Sequence, residues 1–317
     1  MPTKVIAIVG PTASGKSALA VRLGQKFNGE VISVDSRQVY RGLDLASGKL
    51  GLKERGGIKH HLLDVANLKR PPAGGFTVAE YKKLAEKAMA EIARRGRLPI
   101  FCGGTGLYLD AVLGQVKIPA VPPNPVLRAK LEKLSTAELF AKLEISNPKR
   151  AKNIDAKNRR RLIRAIEVAK FKGNPLGGLK GCPWPTFGDP KDYPCHPYDC
   201  LKIGILVEKE ELQTAIKKRL QFRLKAGLIA EIKKLHASGI SWRHLDELGL
   251  ECRFVSRYLR GLIDQATMIE RIETESWHYA KRQMTWFKRN QNIVWIKTRT
   301  EAEKLARDFL KKSDKVE

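Results

Sequence analysis

What this sequence has little of narrows the field first. Acidic residues are scarce: 33 Asp and Glu stand against 60 Lys and Arg, for a formal net charge of +27. So basic a surface calls for a polyanionic partner or a membrane, unless it reflects a compositional bias of the organism. No uninterrupted apolar stretch approaches the ~18 residues of a bilayer span, so no membrane association is expected. The N-terminus shows no charged, apolar, small-residue cleavage pattern, which points to a cytoplasmic protein. Cysteines number five. Cys182, Cys195, His196 and Cys200 fall close together but without paired C-x-x-C spacing, and prolines crowd them. Free thiols in a reducing compartment are the better reading than a zinc site. Two more absences concern nucleotides. The apolar run at 98–102 lacks the terminal Asp that holds magnesium in an ATPase, and no N-K-x-D base-reading motif occurs.

What is present begins near the N-terminus. The run Val5-Ile6-Ala7-Ile8-Val9 leads into G-x-x-x-x-G-K-S, that is Gly10, Pro11, Thr12, Ala13, Ser14, Gly15, Lys16 and Ser17. Ala18, Leu19, Ala20 and Leu23 follow at helical spacing. Strand, glycine loop and helix is the setting that a phosphate-binding loop requires. Glycines let backbone N–H groups turn onto a phosphate, and the helix N-terminus adds partial positive charge. Lys16 would reach terminal phosphate oxygens, and the Ser17 hydroxyl would sit on Mg²⁺. A diphosphate or triphosphate is therefore expected as ligand.

The first ~110 residues alternate apolar strands (5–10, 30–36, 98–104) with amphipathic helices (16–27, 79–96). That order predicts an α/β fold: a P-loop NTPase-like parallel sheet flanked by helices. Ligands of such sheets bind at the carboxyl edge, where the phosphate loop, "VDSRQVYRG" and "CGGTGLY" would gather. From Ile118 the character changes to a proline-rich linker and helices over 126–145 (with a turn at Ser135) and 158–171. A Gly- and Pro-rich stretch follows, and "CLKIGILV" then returns to strand pattern. We therefore expect a core of residues 1–117 and 199–317 with a mainly helical insertion at 118–198. Helices are also expected from Glu210 to about Ala237 and from about Thr267 to Arg289.

Asp35 ends an apolar strand. It suits water-mediated magnesium ordering, general base catalysis on an acceptor, or a helix cap. Gly103 and Gly104 would let Thr105 approach a ligand. His60 and His61, with one carboxylate nearby, suit a structural or substrate-lining role better than a metal site. The stretches 157–173 and 278–291 mix cations with apolar and aromatic residues, as a nucleic-acid-binding helix does. A small-molecule kinase shares the phosphate loop and Asp35 but leaves a large basic insertion without a role. A nucleotide switch would want the missing base-reading motif.

Six ordered motifs add a more specific signal. "GPTASGKS", "DSRQVYRGLD", "HHLLDV", "FTVAEY", "GGTGLYLDAV" and "AKRQMTWFKR" together closely resemble the bacterial tRNA dimethylallyltransferases, the tRNA isopentenyltransferase family, from about Lys4 to Trp295. The resemblance implies transfer of a dimethylallyl group from dimethylallyl diphosphate to N6 of adenosine 37 in tRNAs reading codons that begin with U. The protein would act as a monomer on the anticodon stem-loop. It implies that the phosphate loop, with Mg²⁺, holds pyrophosphate as a leaving group. Asp35 matches the catalytic Asp on the adenine amino group, Thr105 a substrate-contacting Thr, and Arg219 a diphosphate-binding Arg. Ser36, Arg37 and Gln38 fall in the motif beside the flipped base. Arg128, Asn158, Arg160, Arg161, Arg164 and Glu167 match positions that face tRNA. The sequence also departs from the family. "LDLASGK" stands where D-I-G-T-A-K is usual, Arg159 replaces a frequent Pro, and Ala215 stands where an Arg is common.

Overall fold

A computed structural model describes residues 2–69, 75–116, 118–171 and 198–311. The stretch carrying Cys182, Cys195 and His196 lies outside them. The chain separates into two compact units, one of Met1–Leu113 with Pro194–Glu317 and one of Gly114–Tyr193. Among the described residues no helix is long and apolar enough to cross a membrane.

The larger unit is built on six parallel strands: β1 (Thr3–Val9), β2 (Gly29–Val34), β3 (His60–His61), β4 (Leu98–Gly103), β5 (Tyr198–Ile205) and β6 (Ile293–Ile296). Their order across the sheet is β3-β2-β4-β1-β5-β6. β1 pairs with β4 through Ile6 and Ile100, and with β5 through Ile6 and Leu201. The five residues from Val5 to Val9 are at most 2% exposed, as a strand covered on both faces must be. On one side α1 (Lys16–Lys26) and α13 (Arg299–Lys311) cover Ile6, Ile8 and Ile203, Leu19 and Ala306 being buried with them. On the other, Val5, Ala7 and Phe101 join a larger core with residues of α2 (Val78–Arg94), α3 (Gly106–Val112) and five later helices. Those are α8 (Lys209–Lys225), α9 (Leu228–Ala237), α10 (Trp242–Leu248), α11 (Leu250–Leu259) and α12 (Gln265–Phe287). The expected helix from Glu210 to Ala237 is two helices, because Gly227 takes φ +104 between them. Because β2, β4 and β1 are adjacent, the three loops leaving their carboxyl ends stand side by side.

The smaller unit carries α4 (Pro125–Leu131), α5 (Thr136–Ser146), α6 (Pro148–Ala151) and α7 (Arg159–Ala169) around Leu131, Leu139, Leu143, Leu162 and Ile166. Each start is written locally: Asn124, Asn147 and Asn158 cap α4, α6 and α7, and Ser135 forms a capping box with Glu138.

At the opposite edge of the sheet from those three loops, Glu30 at the start of β2 is 1% exposed. It takes hydrogen bonds from His61 Nε2 at 2.6 Å and Arg95 Nη2 at 2.7 Å, with Arg97 at 3.3 Å. His60 turns Nδ1 to the Ile58 carbonyl at 2.8 Å, so both histidines are structural. Burial alone would raise the Glu30 pKa, but the His61 and Arg95 hydrogen bonds outweigh it and hold it below the usual value. Its contribution to stability is therefore present above about pH 4.3 and fades as the pH falls through the lowered folded value. Glu30→Gln should cost about 2 kcal/mol at pH 7, moderated by the 36% and 45% exposure of Arg95 and Arg97. In urea titrations the gap to the parent should close below about pH 4; equal midpoints at pH 7 would rule the cluster out as a stabilising element.

Candidate functional site

Val9 ends β1 and Lys16 begins α1, so the six intervening residues must turn a strand into a helix at the sheet edge. They do so with left-handed backbone at Ala13 (φ +63) and Gly15 (φ +82). α1 has no side-chain cap, which leaves its first N–H groups facing a concave loop. The Ser14 hydroxyl is buried with no hydrogen-bond partner among the described residues. A buried hydroxyl in that condition has a hydrogen bond to offer a ligand. Lys16 rests its Nζ on the Pro11 carbonyl. Burial, with Arg219 nearby, lowers its pKa to about 8.

The loop lines a cavity of about 400 Å³ whose walls include Thr12–Ala18, Asp35, Arg37, Gln38, Leu45–Leu50, Gly103, Gly104, Arg219, Phe222, Arg223 and Tyr279. Asp35 follows β2 directly. Its Oδ1 accepts the Arg37 and Gln38 N–H groups at 2.7 and 3.3 Å, and no donor among the described residues bonds Oδ2. One oxygen thus shapes the local turn while the other is left to the cavity. Burial raises the Asp35 pKa against the pull of those N–H bonds and of Arg37 and Arg219.

The other expected residues fall into distinct places. Arg219 lines the cavity and donates from Nη1 to Thr12 Oγ1 at 2.8 Å. Arg37 lines it as well. Gln38 is tied on both sides of its amide, accepting from Ser33 Oγ at 2.8 Å and donating to the Gly48 carbonyl at 3.2 Å. The Thr105 hydroxyl accepts the Ser36 N–H at 3.1 Å, so it braces the Asp35 turn from beside the cavity wall. The "LDLASGK" loop is fixed from behind: Glu231 on α9 accepts the N–H groups of Asp44, Leu45 and Ala46 at 3.2, 2.7 and 3.0 Å. Buried Lys49 joins Asp44 and Asp64 at 2.8 and 2.6 Å.

In the smaller unit the structure divides the expected nucleic-acid contacts. Glu167 is 2% exposed, so it cannot face a polyanion; that expectation is corrected. It accepts the Asn124 N–H at 2.6 Å, Arg128 Nη2 at 2.8 Å, and Arg164. Burial opposes its ionisation, but the hydrogen bonds from Arg128, Asn124 and Arg164 keep its pKa low. Arg128 and Arg164 therefore spend their guanidiniums inside the unit. Asn158 is the α7 cap, accepting the Arg161 N–H at 3.2 Å. Arg159 donates to the carbonyls of Leu134 and Glu132 at 2.7 and 3.1 Å, so the charge it adds serves the fold. Arg160 and Arg161 are exposed on α7.

One residue that sequence reasoning left without a role is Gln283. With Tyr279 and Trp286 it falls at helical spacing on α12, and it is 6% exposed. Its Oε1 accepts the Thr12 N–H at 2.7 Å and its Nε2 donates to the Gly104 carbonyl at 3.0 Å. A Cβ on Gly104 would overlap that amide, so glycine is required for the approach. The signal lay in "AKRQMTWFKR", where an amide interrupts a basic helix.

A parallel sheet with a phosphate-binding loop at its carboxyl edge, and an acid just past the end of β2 lining the same cavity, defines a phosphate-loop protein. A family model described as IPP transferase matches residues 38–290, and the chain belongs to that family. It is 38% identical over 314 residues to the tRNA dimethylallyltransferase 2 of Citrifermentans bemidjiense, covering 98% of this chain and 95% of that one. It also resembles the crystal structure of the full-length tRNA isopentenylpyrophosphate transferase of Bacillus halodurans. That match has 34% identity, a TM-score of 0.70 and 98% coverage of both chains. A eukaryotic dimethylallyltransferase solved acting on tRNA matches at 26% identity and TM-score 0.74, over 93% of this chain and 74% of its own.

Gln283→Leu should leave the fold intact but strand the Thr12 N–H and the Gly104 carbonyl. Affinity for magnesium pyrophosphate should fall about tenfold by calorimetry; unchanged affinity would show that the bridge does not set the loop.

Proposed function

We propose that this chain transfers a dimethylallyl group from dimethylallyl diphosphate to N6 of adenosine 37 in tRNAs reading codons that begin with U. The products are N6-dimethylallyladenosine and diphosphate. The observation that carries the reading is the single cavity bounded by an anion-accepting loop with Lys16 and Arg219 on one side and Asp35 on another. The relatives' names and the tRNA on which the eukaryotic structure acts support the substrates. A cytoplasmic monomer is the proposed acting form.

In the reaction the C1–O bond of the donor breaks as the N6–C1 bond forms. Positive charge develops on C1 while negative charge gathers on the leaving diphosphate. The α1 N–H groups, Ser14, Lys16 and Arg219 hold that anion. Asp35 Oδ2 takes the proton that N6 loses, which matters because an exocyclic amine is a poor nucleophile. A base stacked in the anticodon loop cannot reach this depth, so it must flip out, and Phe222 and Tyr279 offer planes to replace the lost stacking. No group of three or more His, Cys, Asp or Glu among the described residues could cage a metal. This suits Mg²⁺, which binds through few protein ligands and substrate phosphates; the Ser17 hydroxyl is the ligand proposed here. When bound, the ion supplies further charge neutralisation on the diphosphate.

Labelled dimethylallyl diphosphate with unmodified tRNA tests the reading directly. Label entering RNA as N6-dimethylallyladenosine is expected, and ATP turnover without RNA would favour the kinase alternative. Asp35→Asn should reduce transfer about a thousandfold or more while tRNA affinity stays within a few-fold. For the parent, kcat/KM for the donor should rise as Asp35 deprotonates above the ordinary carboxylate range. It should then fall above about pH 8 as Lys16 loses its proton. A profile flat through pH 9 would remove Lys16 from donor binding.

The insertion is proposed to hold tRNA phosphates through its exposed cations. Arg161→Ala should reduce the slope of log K against log salt by about one, whereas Arg164→Ala should chiefly lower stability. An unchanged slope for Arg161→Ala would place the phosphates elsewhere.

A further inference from the structure

Arg223, Glu251 and Gly48 line the same cavity but have no part in the reaction derived above. Arg219 and Arg223 stand one turn apart on α8, so their side chains share a face. Arg223 is 7% exposed, and its Nη1 donates to Glu251 Oε1 at 2.7 Å. Among the described residues Glu251 is the one carboxylate in an ion pair with it. Its Nη2 instead crowds that of Arg219, since a Cβ placed on Gly48 would overlap both nitrogens. Gly48, at φ +64, lies in the loop that departs from the D-I-G-T-A-K pattern, with glycine where that pattern has alanine. The space for a second guanidinium is thus written into this sequence.

Two guanidiniums in contact within a desolvated wall repel each other, and the carboxylates around them, Glu251 with Asp35 and Glu54, do not outweigh burial and that repulsion at Arg219. Burial and the Arg223 charge together hold the Arg219 pKa down, to about 10. A multiply charged anion with several oxygens relieves that repulsion, and planar guanidiniums bind such oxygens in bidentate fashion.

We propose that Arg223 is a second diphosphate-binding guanidinium, forming a two-armed clamp with Arg219, and that Glu251 holds it in place until the donor enters. The inference rests on the assignment of an allylic diphosphate to the phosphate loop. Arg219, bonded to Thr12, takes oxygens beside the loop, and Arg223 reaches the anion from the Gly48 side. Glu251 competes with the phosphate for Arg223. The two partners of one ion pair must therefore act on the anion with opposite sign, which a purely structural pair would not do.

Calorimetric titration of the full chain with inorganic pyrophosphate and Mg²⁺ tests this in the parent, Arg223→Met and Glu251→Gln proteins, each checked for folding by circular dichroism. Arg223→Met should weaken pyrophosphate about tenfold or more and raise KM for the donor similarly. Glu251→Gln, which removes the competing charge at constant shape, should tighten pyrophosphate about threefold or more. The clamp is refuted if Arg223→Met binds like the parent, or if Glu251→Gln binds equally or more weakly. Absence of pyrophosphate binding to the parent itself would instead overturn the donor assignment, and the clamp with it.

Discussion

Thr12 is held at two atoms by two helices far away in sequence, and the site depends on that double tether. Its N–H goes to Gln283 of α12 and its hydroxyl to Arg219 of α8. A glycine loop left to itself pays conformational entropy to close on an anion; one fastened at its apex has already ordered its donors. The same Gln283 amide reaches Gly104, which follows β4, so the loops after β1 and β4 are joined by one side chain. Thr105 then carries the linkage to Ser36 and the turn that presents Asp35. The phosphate-binding loop and the Asp35 turn are thereby linked through a short chain of hydrogen bonds. Such coupling suits a displacement in which both reacting atoms must align.

The cost of the arrangement appears in its charges. Lys16 and Asp35 both lose solvation, which lowers the pKa of the first and raises that of the second; Asp35 partly offsets the Lys16 penalty, and Arg37 and Arg219 partly offset that of Asp35. Two backbone N–H groups grip Oδ1 and pull the Asp35 pKa back against the effect of burial. Were it only a cap, both its oxygens could sit in solvent at the loop surface without harm. Its burial, with one oxygen unclaimed, is a local conflict of the kind that accompanies function.

Much of this was legible in the sequence because it is local. Apolar runs gave β1, β2 and β4, and the helical stretches over 126–145, with a turn at Ser135, and 158–171 were readable as well. The parallel sheet followed from the alternation of elements. What could not be read is what depends on distance. β3 is two residues long and β6 four, too short for a period to show. α10 and α11 meet at Gly249 without an intervening loop, so they read as one irregular stretch. The tethering role of Gln283 needs a partner 271 residues away. The motif resemblance located Thr105 at the site, but only coordinates show its hydroxyl engaged with Ser36.

The basic composition illustrates the same point about distance. A net charge of +27 invites the reading that each cation awaits a phosphate. Yet Arg128, Arg159 and Arg164 are occupied with Glu167 or with backbone carbonyls inside the insertion, and Lys49 is buried between two aspartates. These cations sit where helices end or where a carboxylate has been buried, and removing them would first unsettle the fold. Arg160 and Arg161 stand between Arg159 and Arg164 in sequence and are exposed. Because a buried carboxylate such as Glu167 must be neutralised locally, the arginines that reach it are committed to structure. Charge count points to the kind of partner, and local pairing shows which arginines are already committed to the fold.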